Sequence, residues 1–331
     1  MQAMLLRRPG DIQSHPLVDE ERERPSPGPG QVLIRVEVCG VCRTDLHLTE
    51  GEIVPPGYPI IPGHQVVGVV DSLGPEVADL AVGARVGVAW LGYACGVCEA
   101  CRRGEENLCV NARFTGFHQD GGFAEWLVAE AAFVLPLADR FDSLQAAPLL
   151  CAGIIGYRSL RKAEVQPGET VGLIGFGASA HLALQVLRHW RCPVYVFTRS
   201  PAHRELAASL GAAWVGGLED RPPGELDRGV LFAPAGHLVL PALERLRPGG
   251  TLAINAVHMS PIPEIPFRLM YGERTLRSVS NATRRDGREF LALADEIELR
   301  PSVRVYPLDE ANFALDDLKH SRIDGAAVLQ A

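Results

Sequence analysis

Four of the chain's eight cysteines crowd a single loop, in the pattern Cys95-x2-Cys98-x2-Cys101-x7-Cys109. Short loops of this kind deliver four soft thiolates to one point, which is what Zn²⁺ in a closed tetrahedral structural site requires. Gly96 and Gly104 supply turn freedom, and Arg102 and Arg103 offset the charge of a tetrathiolate. Four coincidental or redox-active cysteines are the alternative, and such spacing seldom arises without a metal. Disulfides seldom persist in a reducing cytosol, which also turns the reading toward metal. A nucleic-acid-binding zinc module would carry dense cysteines too, but it needs a basic surface, and this chain has a formal net charge of -8. The loop is therefore expected to bind a structural zinc and to fold one lobe of a larger protein.

At 331 residues the chain is long for one hydrophobic core, and two domains are expected. Residues 1–150 are rich in Gly, Pro and Val, with short strand-like runs such as QVLIRVEVCGV and QVVGVVDSLG between turns such as PGPG and PPGYP. That pattern suits an all-β, barrel-like domain. From about residue 152 strands and helices alternate: TVGLIGFG then ASAHLALQVLRHW, PVYVFT then PAHRELAASLGA, RGVLFAP then PALERLRPGG, and TLAINAV. Such alternation predicts a parallel, doubly wound sheet. Pro248-Gly249 is read as the stop of the helix PALERLRPGG, and the tail from about 282 as helix-rich. No apolar stretch is long enough to span a bilayer, and the start MQAMLLRRPG lacks a signal-peptide core, so a cytoplasmic location with no membrane or nucleic-acid partner is expected.

A catalytic zinc takes three protein ligands and keeps one position for water or substrate. Outside the loop the candidates are Cys42 in CGVCRTDLH, His64 in PGHQVVG and Cys151 in LLCAGIIGY. They lie far apart along the chain, so spacing alone does not bring them together. Cys39 and Cys192 read as buried, idle thiols, His181 as packing, and DDLKHSRID as a solvated face. His258 follows a strand end where a nicotinamide would lie. Gly175-x-Gly177-x-x-Ala180 follows a strand and opens a helix, the context that makes it a dinucleotide fingerprint. Its glycines allow a tight turn, and Gly175, Gly177, Ala178 and Ser179 would face the pyrophosphate at the helix N-terminus.

Taken together, Cys39-Gly40-Val41-Cys42-Arg43-Thr44-Asp45-Leu46-His47 with Pro62-Gly63-His64, the four-cysteine loop preceded by Trp90-Leu91, and Leu149-Leu150-Cys151-Ala152-Gly153 resemble the zinc alcohol dehydrogenases of the medium-chain superfamily, in its yeast-type and cinnamyl-type branch. The resemblance covers nearly the whole chain. It implies a mixed β and α/β fold: a GroES-like β-barrel catalytic domain over 1–151 with the zinc loop 95–109, a Rossmann cofactor domain over 152–281, and a return to the catalytic domain over 282–331. It implies two zincs per chain, the catalytic one held by Cys42, His64 and Cys151. Thr44 would bond the substrate oxygen and His47 pass the proton to solvent; Arg43 would contact the cofactor pyrophosphate. Asp45 would fix the tautomer of the zinc histidine, and Trp90 would line the alcohol pocket and favour small or slender substrates. A homodimer or homotetramer is usual in the family.

Two places call for comment. The family usually has Glu after the zinc histidine, where this chain has Gln65; with two thiolates already on the metal, a neutral Gln leaves the ion more electrophilic. The position about twenty residues beyond the glycine turn, where an acid would mark NAD, holds Thr198, followed by Arg199 and Ser200. A hydroxyl and a guanidinium suit a 2′-phosphate, which favours NADP over NAD. The expected activity is hydride transfer between an alcohol or aldehyde and NAD(P). The competing readings are a zinc-free quinone or enone reductase of the same superfamily and an inactive, zinc-stabilised binding protein.

Overall fold

The computed structural model describes all 331 residues, Met1–Ala331, which group into two compact units. One comprises Met1–Cys151, Asn281–Asp295 and Pro301–Ala331; the other comprises Ala152–Ser280 and Glu296–Arg300. The short piece Glu296–Arg300 groups with the second unit, where the Gln185 side chain both donates to the carbonyl of Arg300 and accepts from its amide, at 3.1 Å each. No helix is long and apolar enough to cross a membrane.

In the first unit the hub is the strand Gln31–Val41, whose Val, Leu and Ile side chains are buried along most of its length. It pairs antiparallel with Val66–Leu73, with Trp126–Glu130 and with Ala326–Gln330, so the last strand of the chain is stitched beside an early one. These strands belong to a seven-stranded sheet that also holds Arg85–Val88 and Val134–Pro136, and it is the β-rich domain expected from the Gly- and Val-rich first half. Gly68 sits where an added Cβ would fall 2.2 Å from the Arg35 carbonyl oxygen, so only glycine permits this strand approach. The core beneath includes Ile34, Leu127, Phe123, Met4 and Leu6, all nearly inaccessible to solvent. A small two-stranded sheet, Leu91–Tyr93 with Arg113–Phe114, frames the four-cysteine loop.

The second unit is built on a six-stranded parallel sheet, as the strand–helix alternation predicts. Strand Val171–Ile174 lies centrally, between Val194–Phe197 and Leu226–Leu231, and all four of its residues are buried. One element departs from expectation: the helix Val239–Arg245 ends before Pro248-Gly249, and the strand Leu246–Ile254 already contains that pair. Leu246 pairs with Leu226, and the next match is Thr251 with Arg228, so Arg247–Gly250 bulge out between two paired positions. Arg247 is held there by Asp227 at 2.6 Å.

Candidate active site and metal centres

The strand Gln31–Val41 runs directly into the helix Arg43–Glu50, and Cys42 is the N-cap between them. Cys42 keeps extended backbone angles (φ -122°, ψ 157°), and its amide donates to Asp45 Oδ2 at 2.8 Å. This reciprocal cap sets the start of the helix and, with it, the Cys42 sulfur. The other Asp45 oxygen accepts from the Gly63 amide at 3.1 Å and lies 3.2 Å from His64 Nδ1. One buried carboxylate thus ties together two segments far apart along the chain, the helix start and the Pro62-Gly63-His64 turn. With Nδ1 facing a carboxylate, the hydrogen of a neutral ring sits on that nitrogen and Nε2 keeps its lone pair for a metal.

Cys151 arrives from elsewhere, on a π-helical turn, Leu149–Gly153, that follows Pro148. Proline removes a helical hydrogen bond, and wide single turns of this type often carry functional side chains. The ligand atoms of Cys42, His64 and Cys151 lie within 4.8 Å of one another, with the two sulfurs 4.0 Å apart. Electrostatics divides the pair. The bond from Cys151, aided by the His64 ring and the Thr44 amide, holds the Cys42 thiol well below its ordinary value despite burial. The bond to Cys42 and burial together hold Cys151 well above it. Burial opposes charge on His64, but Asp45 and Cys42 outweigh it and the ring is raised to about 10. Two sulfurs and one imidazole nitrogen converging in the interior are the donor set of a three-ligand zinc site.

Thr44 Oγ1 lies 3.7 Å from the Cys42 sulfur. His47 follows three residues later on the same helical face, largely buried, with Nδ1 hydrogen-bonded to the Glu52 carboxylate. Arg43 Nη2 donates to the Leu318 carbonyl at 3.0 Å. Gln65 is buried, and its carbonyl accepts from the Gly40 amide at 2.9 Å. An added Cβ on Gly40 would come within 2.8 Å of the Gln65 side chain, so these two positions fit as a pair. Trp90 packs edge-on against the His64 ring, with centroids 4.7 Å apart. It also stacks on Phe114 at 5.1 Å and touches Phe117 at 5.9 Å. Phe114 and Phe117 were not singled out from the sequence. They follow the cysteine loop at a spacing of three, and the pairing of Phe114 with Leu91 and the Thr115 amide bond to the Trp90 carbonyl, at 2.9 Å, bring them to that ring.

The ligand atoms of Cys95, Cys98, Cys101 and Cys109 also lie within 4.8 Å of one another, and none is in a disulfide. Backbone amides aim at the sulfurs: Cys95 and Asn111 at Cys109, and Cys98 at Cys95, at 3.3–3.4 Å. The amides of Val97 and Cys98 draw the Cys95 thiol down to about 6, while burial and neighbouring sulfurs push Cys101 up to about 12. Four thiolates this close cannot all ionise without a cation, and the donor chemistry fits zinc. Arg284, at the start of the helix Arg284–Glu296, clamps this lobe by paired bonds to Glu106 at 2.7–3.1 Å.

In the second unit Gly175 has φ +88°, and an added Cβ would meet the Ala233 amide nitrogen at 2.9 Å, so the turn requires glycine there. Gly177 is the N-cap of the helix Ala178–His189 and has nothing within 4 Å of an added Cβ. No side chain caps that helix, so the amides of Ala178 and Ser179 keep their anion-binding direction. Thr198 is buried beyond the strand Val194–Phe197. Arg199 is exposed, and Ser200 caps the helix Pro201–Ser209 by accepting from the His203 amide at 3.3 Å. Arg204 Nε donates to the Thr198 carbonyl at 2.9 Å, a second guanidinium at this strand end that its place inside the helix Pro201–Ser209 hides in the sequence. His181 is buried, and burial pushes its ring down to about 4. Cys39 and Cys192 are buried thiols, and His258 is exposed.

The family Alcohol dehydrogenase GroES-like domain matches residues 28–139. A probable alcohol dehydrogenase, AdhA, of Mycobacterium tuberculosis is 47% identical, covering 99% of this chain and 97% of its own. An alcohol dehydrogenase of Rhizobium meliloti is 38% identical over 95% of each chain. Among solved structures, a cinnamyl alcohol dehydrogenase from Sorghum bicolor superposes with a TM-score of 0.91 at 28% identity, covering 99% of this chain and 97% of that one. A thermostable alcohol dehydrogenase of Pyrobaculum aerophilum, solved with cobalt and zinc bound, gives 0.91 at 26% identity, covering 100% and 99%. The chain belongs to the zinc-type alcohol dehydrogenases of the medium-chain dehydrogenase/reductase superfamily. It is an alcohol oxidoreductase.

Proposed function

We propose that this chain is a cytoplasmic, zinc-dependent alcohol dehydrogenase with two zincs per chain and a preference for NADP over NAD. The observation that carries the reading is the convergence of Cys42, His64 and Cys151, with Asp45 orienting both of the first two. Cys42, His64 and Cys151 would hold the catalytic zinc, and Cys95, Cys98, Cys101 and Cys109 the structural one. Zinc would polarise an alcohol oxygen and bring its pKa toward neutrality, and the nicotinamide would accept the hydride.

The protein's own groups supply orientation and the proton path. The Thr44 hydroxyl, beside the Cys42 sulfur, accepts the alcohol proton as it gives up its own, and His47 carries that proton toward water. Trp90, with Phe114 behind it, forms a flat aromatic wall beside the His64 ring, which favours slender primary or secondary alcohols. The turn Gly175, Gly177, Ala178 and Ser179 would bind the pyrophosphate. Thr198, Arg199 and Ser200, with no carboxylate among them, support a 2′-phosphate. The apolar, exposed Phe267 and Tyr271 and the edge strand Thr275–Ser278 support self-association as a homodimer or homotetramer. The test is to count zinc per chain and follow nicotinamide reduction with a panel of alcohols, comparing the protein with Cys42→Ser. Two zincs and turnover lost in the variant support the reading; a single zinc without turnover rejects it.

A further inference from the structure

We propose that Gly156, which lies outside the glycine turn, is a positioning residue for the cofactor: it sets where the amides of Ala178 and Ser179 meet the pyrophosphate. This rests on the reading of that turn as the pyrophosphate site. Gly156 is the third residue of the helix Ile154–Lys162 and is buried. Its φ is not positive, so no left-handed backbone requires a glycine there. Inside a helix glycine is the poorest residue apart from proline, because it gives up the most backbone freedom. What it offers at this position is the absence of a side chain.

The cofactor helix occupies that space. A Cβ added to Gly156 would stand 3.0 Å from the Ser179 carbonyl oxygen and 3.7 Å from the Ala183 Cβ. The first distance is shorter than the roughly 3.3 Å at which even a CH···O contact closes. The atom met is backbone, which cannot swing aside as a side chain does. Ser179 and Ala183 lie one turn apart on the helix Ala178–His189, so they share the face that packs on Ile154–Lys162. Two helices approach this closely only where the side chains at the crossing are small.

The same turn has a second backbone seat, the close approach of Gly175 to the Ala233 amide, and the Gly175 amide donates to the Phe197 carbonyl at 2.9 Å. Gly175 therefore fixes the turn from the sheet, and Gly156 fixes the first turn of the helix that follows. No side chain caps that helix, so packing alone decides where its free amides point. Hydrogen bonds from amides to phosphate oxygens work only over a window of roughly 0.5 Å, which makes a shift of a few tenths of an ångström costly. A larger residue at 156 would produce a shift of that size in the first turn of the helix.

The experiment compares the whole zinc-loaded protein with Gly156→Ala and Gly156→Val. Calorimetry reads the dissociation constants of ADP-ribose, which carries the pyrophosphate, and of adenosine, which carries no phosphate. Bound zinc and Tm without ligand are measured alongside. Gly156→Ala is expected to weaken ADP-ribose about tenfold, less than the roughly 100-fold loss that a 1 Å misplacement brings, and Gly156→Val to weaken it further. Adenosine is expected to bind Gly156→Ala within about twofold of wild type, with zinc and Tm retained, because the better helix propensity of alanine offsets the tighter packing. Retained adenosine binding also shows that the unit is folded. ADP-ribose affinity equal to wild type in both variants overturns the proposal. An equal loss for adenosine overturns it too, by making Gly156 a general packing residue. A wild-type protein that binds neither ADP-ribose nor a reduced nicotinamide cofactor removes the pyrophosphate site itself, and this proposal with it.

Discussion

Asp45 lies with one carboxylate oxygen 3.2 Å from Nδ1 of His64 while its other oxygen receives the amide of Cys42 at 2.8 Å. A single side chain therefore sets both the helix that presents one candidate ligand and the tautomer of another. It is buried, so water cannot replace it. Asp45→Asn is expected to weaken metal binding by about 10- to 100-fold, with the fold retained. Competition with a chelator, read as zinc released at fixed pH, measures this. Zinc retention equal to wild type would show that Asp45 is not what orients His64.

The four-cysteine lobe is coupled to the returning helix through the Glu106–Arg284 pair. Cys101→Ser is expected to release one zinc per chain and to expose the loop to proteolysis, at a stability cost on the order of several kcal/mol. Metal analysis and limited proteolysis give the readout. A variant that keeps both metals and resists cleavage would contradict a structural role for the loop.

The proposed preference for NADP rests on the strand end after Phe197. Arg199→Ala is expected to raise KM for NADP about tenfold, the worth of a charge-assisted phosphate contact, with little change for NAD. Thr198→Asp should move preference toward NAD by adding the acid that a ribose 2′-hydroxyl favours. The ratio of kcat/KM for the two cofactors reports both. A wild-type enzyme already selective for NAD would reject this assignment.

Trp90 is expected to restrict substrate width. Trp90→Ala removes the ring that stacks on Phe114, so relative kcat/KM should rise for branched or aromatic alcohols and fall for ethanol-sized ones. An unchanged substrate profile would place the ring outside the pocket.

Buried His181 makes stability depend on pH. Its ring is pushed down to about 4 in the folded protein, against an ordinary value of 6.5, chiefly by burial. Above pH 6.5 both folded and unfolded rings are neutral. Between about 6.5 and 4 only the unfolded ring binds a proton, so stability falls as pH falls through that window, by on the order of 3 kcal/mol in all. His181→Gln should flatten this part of the curve, as urea unfolding at several pH values would reveal. An identical pH slope in the variant would assign it to other groups.

The two-part architecture was legible because its signals are local. Strand–helix alternation predicts the parallel sheet, and the glycine turn at Gly175 that leads into an uncapped helix is set by its own few residues. What spacing left open was long-range. Nothing in the separation of Cys42, His64 and Cys151 shows that they meet; that depends on Asp45 bridging two segments and on a π-helical turn after Pro148. The early end of the helix Val239–Arg245 has the same origin, since Leu246 is drawn into the sheet by Leu226 and Arg247 by Asp227. Phe114 and Phe117 gained meaning only through their contacts with Trp90, and Gly156 only through its approach to the Ser179 carbonyl.

The most direct test of the central claim is zinc stoichiometry measured alongside alcohol-dependent nicotinamide reduction, in the wild type and in Cys42→Ser. The account predicts two zincs and turnover in the wild type, and one zinc with no turnover in the variant. Turnover that survives in Cys42→Ser, or a wild-type protein with only the loop zinc and no alcohol oxidation, would contradict it.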